Sequence, residues 1–334
     1  MTGYLATPLA FPNSSPSGFT MLEDEPQFDP VRHLQIEYPT DVLSLAELGY
    51  SDEEIAECPT DFAVTSIFRI LSDEGIAAML ETARKLEPFT TSNARIARNV
   101  RGGVYRSRFL RDLCQCEELT ESLSKICGIP LLPHTLPHQL GHLNYNLLEV
   151  GENVDKWHVD TLRIDFVMFV TDPKLVAGGE FEYYRGTKHE VAQLSAAGEP
   201  LDSSKIVAPD MPGPGYAVLQ QGNMVVHRAK GLREAGERIT MVNGYVPRDI
   251  SFPDFSRFDQ LYLVAPKDVA ASEYTRHMSW MARERLSADL DSFAFSEDKE
   301  AMAEKFEQLA DLMAATAKDL REAGRAKVEH FGDG

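Results

Sequence analysis

The sequence predicts a domain of the α+β, mainly β class, with a β-sandwich or barrel flanked by N- and C-terminal helices. Two observations support this class. Between about residues 140 and 250, short apolar runs alternate with glycine and Asp-Pro turns, as in all-β domains. Before and after that segment the apolar residues recur at helical spacing. The 334 residues, 43% of them hydrophobic, are enough for one large core.

Residues 1–60 are expected to form an acidic, partly irregular N-terminal arm, with a single domain over residues 61–334. The arm holds eleven acidic residues against one basic residue, Arg32. Five prolines within the first thirty residues favour a mobile arm or a strap on the domain surface. Residues 43–57 are predicted to form one short acidic helix.

The segment between the arm and the β-rich core should contribute one strand and two helices. Residues 62–71 are strand-like. Ser72 is a typical helix N-cap followed by two acids, and it predicts a helix reaching about Leu86. A second helix is predicted over residues 107–127, ending at Gly128.

The core, about residues 140–250, is predicted to be built from short strands. The alternation of Leu143, Tyr145 and Leu147 predicts the first of them. Further strands are expected over residues 162–171, 180–184, 216–219, 223–227 and 239–246. His227 is predicted to be the last residue of the strand over residues 223–227. Residues 186–214 are turn-rich and variable in character.

The C-terminal segment is predicted to be helical, over about residues 266–330. A first helix should span about residues 266–286, and Ser296 should cap a second. The second helix has an apolar stripe made by Met302, Phe306, Leu309, Met313 and Leu320. We expect this stripe to pack against the barrel or a partner subunit, so that a homodimer is possible.

Charge and composition exclude several classes of function. The net charge is −19, and no basic footprint for nucleic acid or an anionic membrane surface is visible. No run of eighteen apolar residues predicts a membrane span, and the N-terminus lacks the basic start of a signal peptide. Four cysteines without a C-x-x-C pair indicate a reducing, cytoplasmic location.

Five residues carry the predicted chemistry: His158, Asp160, His227, Arg238 and Thr240. On an extended strand His158 and Asp160 face the same way, because side chains alternate with a period of two. Two imidazoles and one carboxylate leave open positions on a metal, as in non-haem Fe(II) oxygenases. Arg238 offers a planar two-donor fork for a carboxylate, and Thr240 lies on the same strand face.

This pattern resembles the Fe(II)/2-oxoglutarate-dependent dioxygenase superfamily over about residues 140–250. Residues 178–184, 222–232 and 273–286 are similar to the subgroup of amino-acid halogenases and related hydroxylases. The resemblance implies a double-stranded β-helix (jelly-roll, cupin-like) of eight main strands. It also implies that His158, Asp160 and His227 are catalytic iron ligands and that Arg238 and Thr240 hold 2-oxoglutarate. Carrier-free halogenases of the subgroup have glycine at the position of Asp160, so halogenation is disfavoured.

The implied reaction is the oxidation of an unactivated C–H bond of a free amino acid or a small amino-acid-derived metabolite, as in secondary metabolism. The product would be hydroxylated, desaturated or cyclised, while 2-oxoglutarate and O₂ become succinate and CO₂. Ascorbate should help in vitro. Asn144 is a further candidate contact of 2-oxoglutarate. Candidate substrate contacts are Asn146, Trp157 and the pair Arg163 and Asp165, which together suit a zwitterion.

Two other functions remain open. A hydroxylase of proteins or peptides, like the prolyl hydroxylases, would use the acidic arm to recruit a basic partner. A non-catalytic barrel would bind a metal or a carboxylate ligand without turnover. A second metal site at His134, His138 and His142 is disfavoured, because Pro133 and Pro137 interrupt the helix that their spacing would need.

Overall fold

The computed structural model describes residues 5–93, 95–147, 150–151, 153–292, 294–324 and 329–331. The β-strands in this part of the chain are β1 Val42–Ser44, β2 Phe62–Thr65, β3 Phe68–Arg69, β4 Asn99–Val100, β5 Leu131–Pro133, β6 His142–Tyr145, β7 Asp155–His158, β8 Ile164–Phe169, β9 Phe181–Tyr184, β10 Ile206–Val207, β11 Tyr216–Gln220, β12 His227–Ala229 and β13 Ile239–Pro247. The α-helices are α1 Pro30–His33, α2 Asp52–Ala56, α3 Asp73–Leu86, α4 Arg108–Cys114, α5 Glu117–Cys127, α6 Lys188–Ala197, α7 Phe258–Val264, α8 Lys267–Asp291 and α9 Lys299–Glu322.

Strands β6 to β13 form the core of the fold as two facing antiparallel sheets. The larger sheet contains the order β11-β8-β13-β6, and the smaller has the order β10-β9-β12-β7. Apart from the step from β9 to β10, consecutive strands alternate between the sheets. This topology is the double-stranded β-helix, and the predicted fold class is confirmed. The larger sheet is extended by β1 and β2 beyond β11, and by β4 beyond β6.

Strand β8 packs against two hydrophobic clusters, one on each of its faces. All six of its residues are buried. Phe166 and Met168 belong to the cluster packed under α3, α4 and α5, whereas Val167 and Phe169 belong to the cluster between the sheets. Because strand side chains alternate, a strand covered on both faces is apolar throughout. This burial fixes the register of the sheet, since a slip by one residue would exchange its two faces.

Several predicted elements are found with changed boundaries. The Ser72 hydroxyl accepts from the Gly75 N–H and caps α3, as expected. The helix predicted over residues 107–127 is broken into α4 and α5 at Gln115 and Cys116, where the Asn243 side chain donates to the Cys114 carbonyl. The acidic helix predicted over residues 43–57 is wrong as a single element, because β1 pairs with β2 and only α2 is α-helical.

Other sequence predictions are corrected by the structure. Residues 222–224 form a turn in which the Gln221 carbonyl accepts from the N–H groups of Met224 and Val225. His227 therefore begins a strand and does not end one. The turn-rich segment contains α6, capped by the Thr187 hydroxyl. The last helix is capped by Asp298 in place of Ser296, because the Asp298 carboxylate accepts from the Ala301 N–H. Helix α7 was not predicted.

The described part of the N-terminal segment lies on the domain as a strap. The Thr7 N–H donates to the Glu284 carboxylate in α8 at 2.7 Å, and the Trp280 indole donates to the Thr7 carbonyl at 2.9 Å. Further along, Glu25 accepts from the Arg108 N–H at the start of α4. The strap therefore joins the first residues of the described chain to the C-terminal helices. The domain boundary at residue 60 stays a prediction.

The C-terminal helices pack through Leu320 of the predicted stripe and through Leu312, which lies outside it. Leu312 and Leu320 of α9 contact the cluster formed by α7 and α8. Phe306 and Met313, by contrast, are 69% and 59% exposed. The stripe does not pack against the barrel, and the homodimer stays a prediction. None of the described helices has both the length and the apolar character needed to cross a membrane.

Candidate metal centre

His158, Asp160 and His227 come together at one end of the barrel. Strands β7 and β12 pair so that His158 lies directly opposite His227, and the two ring centroids are 4.2 Å apart. Asp160 follows β7, and its N–H donates to the Gly222 carbonyl at 2.8 Å. One potential ligand atom from each of the three lies within 4.8 Å of the others. Residues 69 apart in sequence are thus joined by the pairing of two short strands.

Both imidazoles are oriented with Nε2 toward the centre of the triad. His158 Nδ1 lies 2.6 Å from the Lys156 carbonyl, and His227 Nδ1 lies 2.9 Å from the Val225 carbonyl. A carbonyl only accepts, so each Nδ1 carries a proton, and Nε2 is the nitrogen that faces Asp160 and would face a metal. The Nε2 atoms point toward Asp160, at 3.6 Å from His158 and 3.2 Å from His227. Hydrogen bonds of this kind orient histidine ligands of metals.

The electrostatics of the three groups follow from burial and mutual charge. Burial lowers the pKa of His158. Burial also acts to lower the pKa of His227, but the Asp160 carboxylate outweighs it and raises that pKa. Burial would raise the pKa of Asp160, yet the charge of His227 and hydrogen bonds from both imidazoles hold it well below its usual range. Asp160 is therefore ionised and ready to bind a cation.

Arg95 forms an ion pair with Asp160, and the sequence analysis did not identify it. Its Nε lies 2.8 Å from Asp155 Oδ2, and its Nη2 lies 3.1 Å from Asp160 Oδ1. Asp155 also contacts His330, whose Nε2 is 3.1 Å from Asp155 Oδ1. Arg95 lies in an irregular segment more than sixty residues before Asp160, and no local pattern in the sequence marks it.

The triad opens into a cavity of about 200 Å³ between the two sheets. Of the described residues that line it, six are basic and three are acidic. The basic ones are Arg95, Arg101, Lys188, Arg228, Arg238 and Arg257, and the acidic ones are Asp155, Asp160 and Glu329. A protein of net charge −19 therefore encloses a cavity whose lining is predominantly positive.

Arg238 and Thr240, which the sequence analysis assigned to 2-oxoglutarate, both line this cavity. Arg238 is 1% exposed, its Nε donates to the Gly179 carbonyl at 2.7 Å, and its buried Nη2 has no partner among the described residues. Burial lowers the pKa of Arg238 to about 10, which leaves it charged at neutral pH. Gly179 has a φ of +76°, and a Cβ there would lie 2.7 Å from Arg238 Cδ. This glycine therefore leaves the space that the guanidinium occupies.

The two asparagines of the first core strand have different surroundings. Asn144 lines the cavity and lies opposite Thr240 in the pairing of β6 with β13. Asn146 does not line the cavity. Its Oδ1 accepts a hydrogen bond from the Arg238 N–H at 3.0 Å. Asn146 thus fixes the backbone of Arg238, and only Asn144 is placed to contact a ligand.

The other candidate substrate contacts do not reach the cavity. Trp157 is 1% exposed and packs with Tyr184, Val191 and Val226. The Arg163 guanidinium donates to the Pro253 carbonyl at 2.7 Å. Asp165 is fully buried, and its Oδ1 accepts from Gln220. Neither residue of the pair expected to hold a zwitterion lines the cavity, because Arg163 is engaged by the Pro253 carbonyl and Asp165 by the Gln220 side chain.

The three histidines spaced by four do not converge on a metal. His138 contacts Glu273 of α8, with Nδ1 at 2.8 Å from Oε1, and His134 lies beside His277. His142 alone lines the cavity. Among the described residues, the triad of His158, Asp160 and His227 is the one cluster with metal-ligand geometry.

Comparison with known proteins gives structural similarity alone. No family model and no curated protein matches the sequence. EctD from S. alaskensis with bound Fe is 18% identical over 68% of this chain and 84% of its own, with a TM-score of 0.41. The non-haem alpha-ketoglutarate-dependent carbocyclase SnoK from nogalamycin biosynthesis is 17% identical over 61% and 86%, with a TM-score of 0.38. HygX from Streptomyces hygroscopicus, with nickel and 2-oxoglutarate bound, is 13% identical over 60% and 88%, with a TM-score of 0.37. At these identities the substrate and the roles of residues must be inferred from this chain itself.

Proposed function

We propose that this protein is an Fe(II)/2-oxoglutarate-dependent oxygenase that oxidises a C–H bond of a small molecule. One observation carries the proposal: two correctly oriented imidazoles and an ionised carboxylate share a cavity with a buried guanidinium that has an unpaired donor. A metal site alone would not need Arg238. A carboxylate-binding site alone would not need His158 and His227.

The residues present fit the iron and the co-substrate. His158, Asp160 and His227 supply the two nitrogen donors and one oxygen donor that suit Fe(II). Bound there, iron would supply the activation of O₂ and the attack on the C–H bond. Arg238, with the Thr240 hydroxyl 3.5 Å from its Nη1, would pair with the far carboxylate of 2-oxoglutarate. Asn144, opposite Thr240, would add a polar contact.

The chain's own residues would orient the reactants and exclude water. Arg95 would keep Asp160 facing the iron. Phe255, Leu261 and Val264, which come from α7 and the loop before it, line the cavity and would cover the reacting groups. This cover favours a small substrate over a peptide, and a free amino acid or a small amino-acid-derived metabolite is the leading class. A peptide hydroxylase and a non-catalytic barrel are the alternatives.

The test is substrate-dependent conversion of 2-oxoglutarate. Protein loaded anaerobically with iron is mixed with 2-oxoglutarate, ascorbate and air, and each of the twenty amino acids is screened by mass spectrometry. We expect succinate coupled to a product of +16 or −2 mass units, lost in His158→Ala and Asp160→Ala. Protein that binds iron and 2-oxoglutarate but makes no succinate with any amino acid, peptide or small metabolite would support the non-catalytic barrel.

A further inference from the structure

Arg101 is a second cationic group of the cavity without an acidic partner. It follows β4 and lines the cavity beside His142 and Gln139. No described carboxylate lies within ion-pair distance of it, and its buried Nε has no hydrogen-bond partner among the described residues. Burial lowers the pKa of Arg101 to about 10, so it is charged at neutral pH. An unpaired buried charge is costly unless a ligand of opposite charge completes the site.

The neighbouring imidazole does not satisfy Arg101. Its Nη1 lies 3.4 Å from His142 Nε2. That same Nε2 contacts the His138 carbonyl, which only accepts, and so it carries the proton. Burial, followed by the positive charge of Arg101, holds the pKa of His142 well below its usual range, and the ring is neutral. Arg101 therefore faces an N–H group and keeps its donors available.

The backbone that carries Arg101 is held firmly. Gly102 has a φ of +69°, and a Cβ at this position would lie 2.7 Å from the His138 ring. His138 and Tyr105 are both fixed by Glu273 of α8, at 2.8 Å and 2.9 Å. The guanidinium is thus presented from a rigid support, as preorganised binding requires.

Arg101 and Arg238 lie at separate places in the cavity. His142, which contacts Arg101, is opposite Val242 on β13, four residues beyond Arg238. At a strand rise of about 3.3 Å per residue, the backbone positions of His142 and Arg238 are roughly 13 Å apart along the strand direction. The Arg101 guanidinium lies beside His142 and that of Arg238 beside the Gly179 carbonyl, so the two suit different anionic groups.

Other charged residues of the lining are already engaged. Asp155 pairs with Arg95, and Glu329 pairs with Arg257 at 2.7 Å. Arg228 pairs with Glu182 at 2.8 Å, and Lys188 donates to the Asn223 carbonyl at 3.2 Å. Asp160 is assigned to the metal and Arg238 to 2-oxoglutarate. We infer that Arg101 binds the carboxylate of the organic substrate, so that the enzyme selects a small carboxylic acid over the corresponding neutral amide. This inference rests on the proposed function and makes it more specific.

The inference is tested by substrate binding without turnover. Protein is loaded anaerobically with Fe(II) and 2-oxoglutarate, and the visible absorption of that complex is followed on addition of each of the twenty amino acids and its carboxamide. We expect at least one acid to shift the absorption band. Its amide should bind at least about 30-fold more weakly, because the amide removes one partner of a buried charge pair. This comparison needs no variant.

Variants then assign the effect to Arg101. Arg101→Met should weaken binding of the acid about 30-fold or more, and Arg101→Lys should restore part of it. The Kd of 2-oxoglutarate should change less than about threefold, because Arg238 holds it. Arg108→Met is the matched control at an exposed position on α4, and it should leave both constants unchanged.

Two results with the wild type would overturn the inference: equal binding of acid and amide, or no binding of any acid. Two results with Arg101→Met would do the same. These are unchanged binding of the acid, or a loss of 2-oxoglutarate affinity without a loss of acid affinity. If the wild type develops no absorption band that depends on both iron and 2-oxoglutarate, the proposed function fails, and the inference with it. The two failures are therefore distinguishable.

Discussion

At the residue scale, the candidate ligands were predictable from the sequence because their spacing reflects strand geometry. His158 ends β7 and Asp160 lies two residues on, while Arg238 immediately precedes β13 and Thr240 lies on it. The supporting residues were not predictable. Arg95, Arg101 and Lys188 come from segments that carry no periodic pattern, and only the folded chain brings them to the cavity.

Arg95 should affect metal affinity without touching the metal. Replacing it with Met removes both hydrogen bonds that hold Asp155 and Asp160, so the Asp160 carboxylate loses its fixed orientation. We expect the affinity for Fe(II) or Mn(II) to fall about 10- to 100-fold, as for other residues that orient metal ligands. Anaerobic calorimetric titration with metal measures this.

The control for Arg95 is Arg84→Met, which removes an exposed ion pair with Glu237. Exposed pairs contribute little to stability, so the metal affinity of this variant should equal that of the wild type. Wild-type affinity in Arg95→Met would contradict the role given to Arg95.

Arg238 should affect 2-oxoglutarate and leave the metal site intact. In Arg238→Met we expect the Kd of 2-oxoglutarate to rise about 30-fold or more, since a buried charge pair is lost. Thr240→Val should raise it only a few-fold, because a neutral hydrogen bond is worth about 1 kcal/mol. Anaerobic absorption titrations measure both constants. A Kd unchanged in Arg238→Met would place the co-substrate elsewhere.

At the element scale, the strands of the larger sheet were easier to predict than those of the smaller one. Strands β8, β11 and β13 are long, apolar runs buried on both faces. Strand β7 reads Asp-Lys-Trp-His and β10 has two residues, too short for a pattern. The apolar residues 224–226 misled the prediction, because their burial follows from a turn and not from a strand.

A buried pair joins α8 to the loop that covers the cavity. His277 Nε2 lies 3.0 Å from Asp254 Oδ2, and both groups are largely buried. Burial would raise the pKa of Asp254, but the charge of His277 and its hydrogen bond lower it to about 2. The pair therefore stabilises the segment that contains Phe255 and Arg257.

This pair gives a stability difference that depends on pH. A carboxyl whose pKa falls from 3.8 to about 2 on folding stabilises the native state above pH 4, and the contribution is lost as the pH falls toward 2. At about 1.4 kcal/mol per unit, it amounts to about 2 kcal/mol. Asp254→Asn should lower the free energy of unfolding in urea by that amount at pH 7 and by much less near pH 2.

The matched control for Asp254 is Asp311→Asn on the exposed face of α9. This substitution should leave the free energy of unfolding nearly unchanged at pH 7 and near pH 2, because surface substitutions away from specific contacts change stability little. An Asp254→Asn difference that stays constant with pH would show that packing, and not the carboxylate, stabilises the loop.

At the scale of the whole molecule, charge is divided between the surface and the interior. The chain carries 52 acidic residues against 33 Lys and Arg. The lining of the cavity reverses this balance, with six basic residues among those described. Composition alone predicted the acidic exterior and the unsuitability for nucleic acid. It did not predict the basic interior, since the six residues are scattered from position 95 to position 257.

The opposite signs of surface and cavity have a consequence for the kinetics of encounter. An approaching dianion such as 2-oxoglutarate first meets a repulsive field and is attracted only at the mouth of the cavity. Raising the ionic strength from 0.01 to 0.15 M shortens the Debye length from about 30 Å to about 8 Å and weakens the long-range repulsion most. The association rate constant of 2-oxoglutarate, measured by anaerobic stopped-flow absorption, should therefore rise about two- to fivefold. An association rate constant that falls with rising ionic strength would mean that the basic cavity attracts the anion before it reaches the mouth of the cavity. If the rate constant rises with salt as expected, the acidic surface acts as a kinetic barrier that slows the entry of anions and leaves their final affinity to the buried arginines.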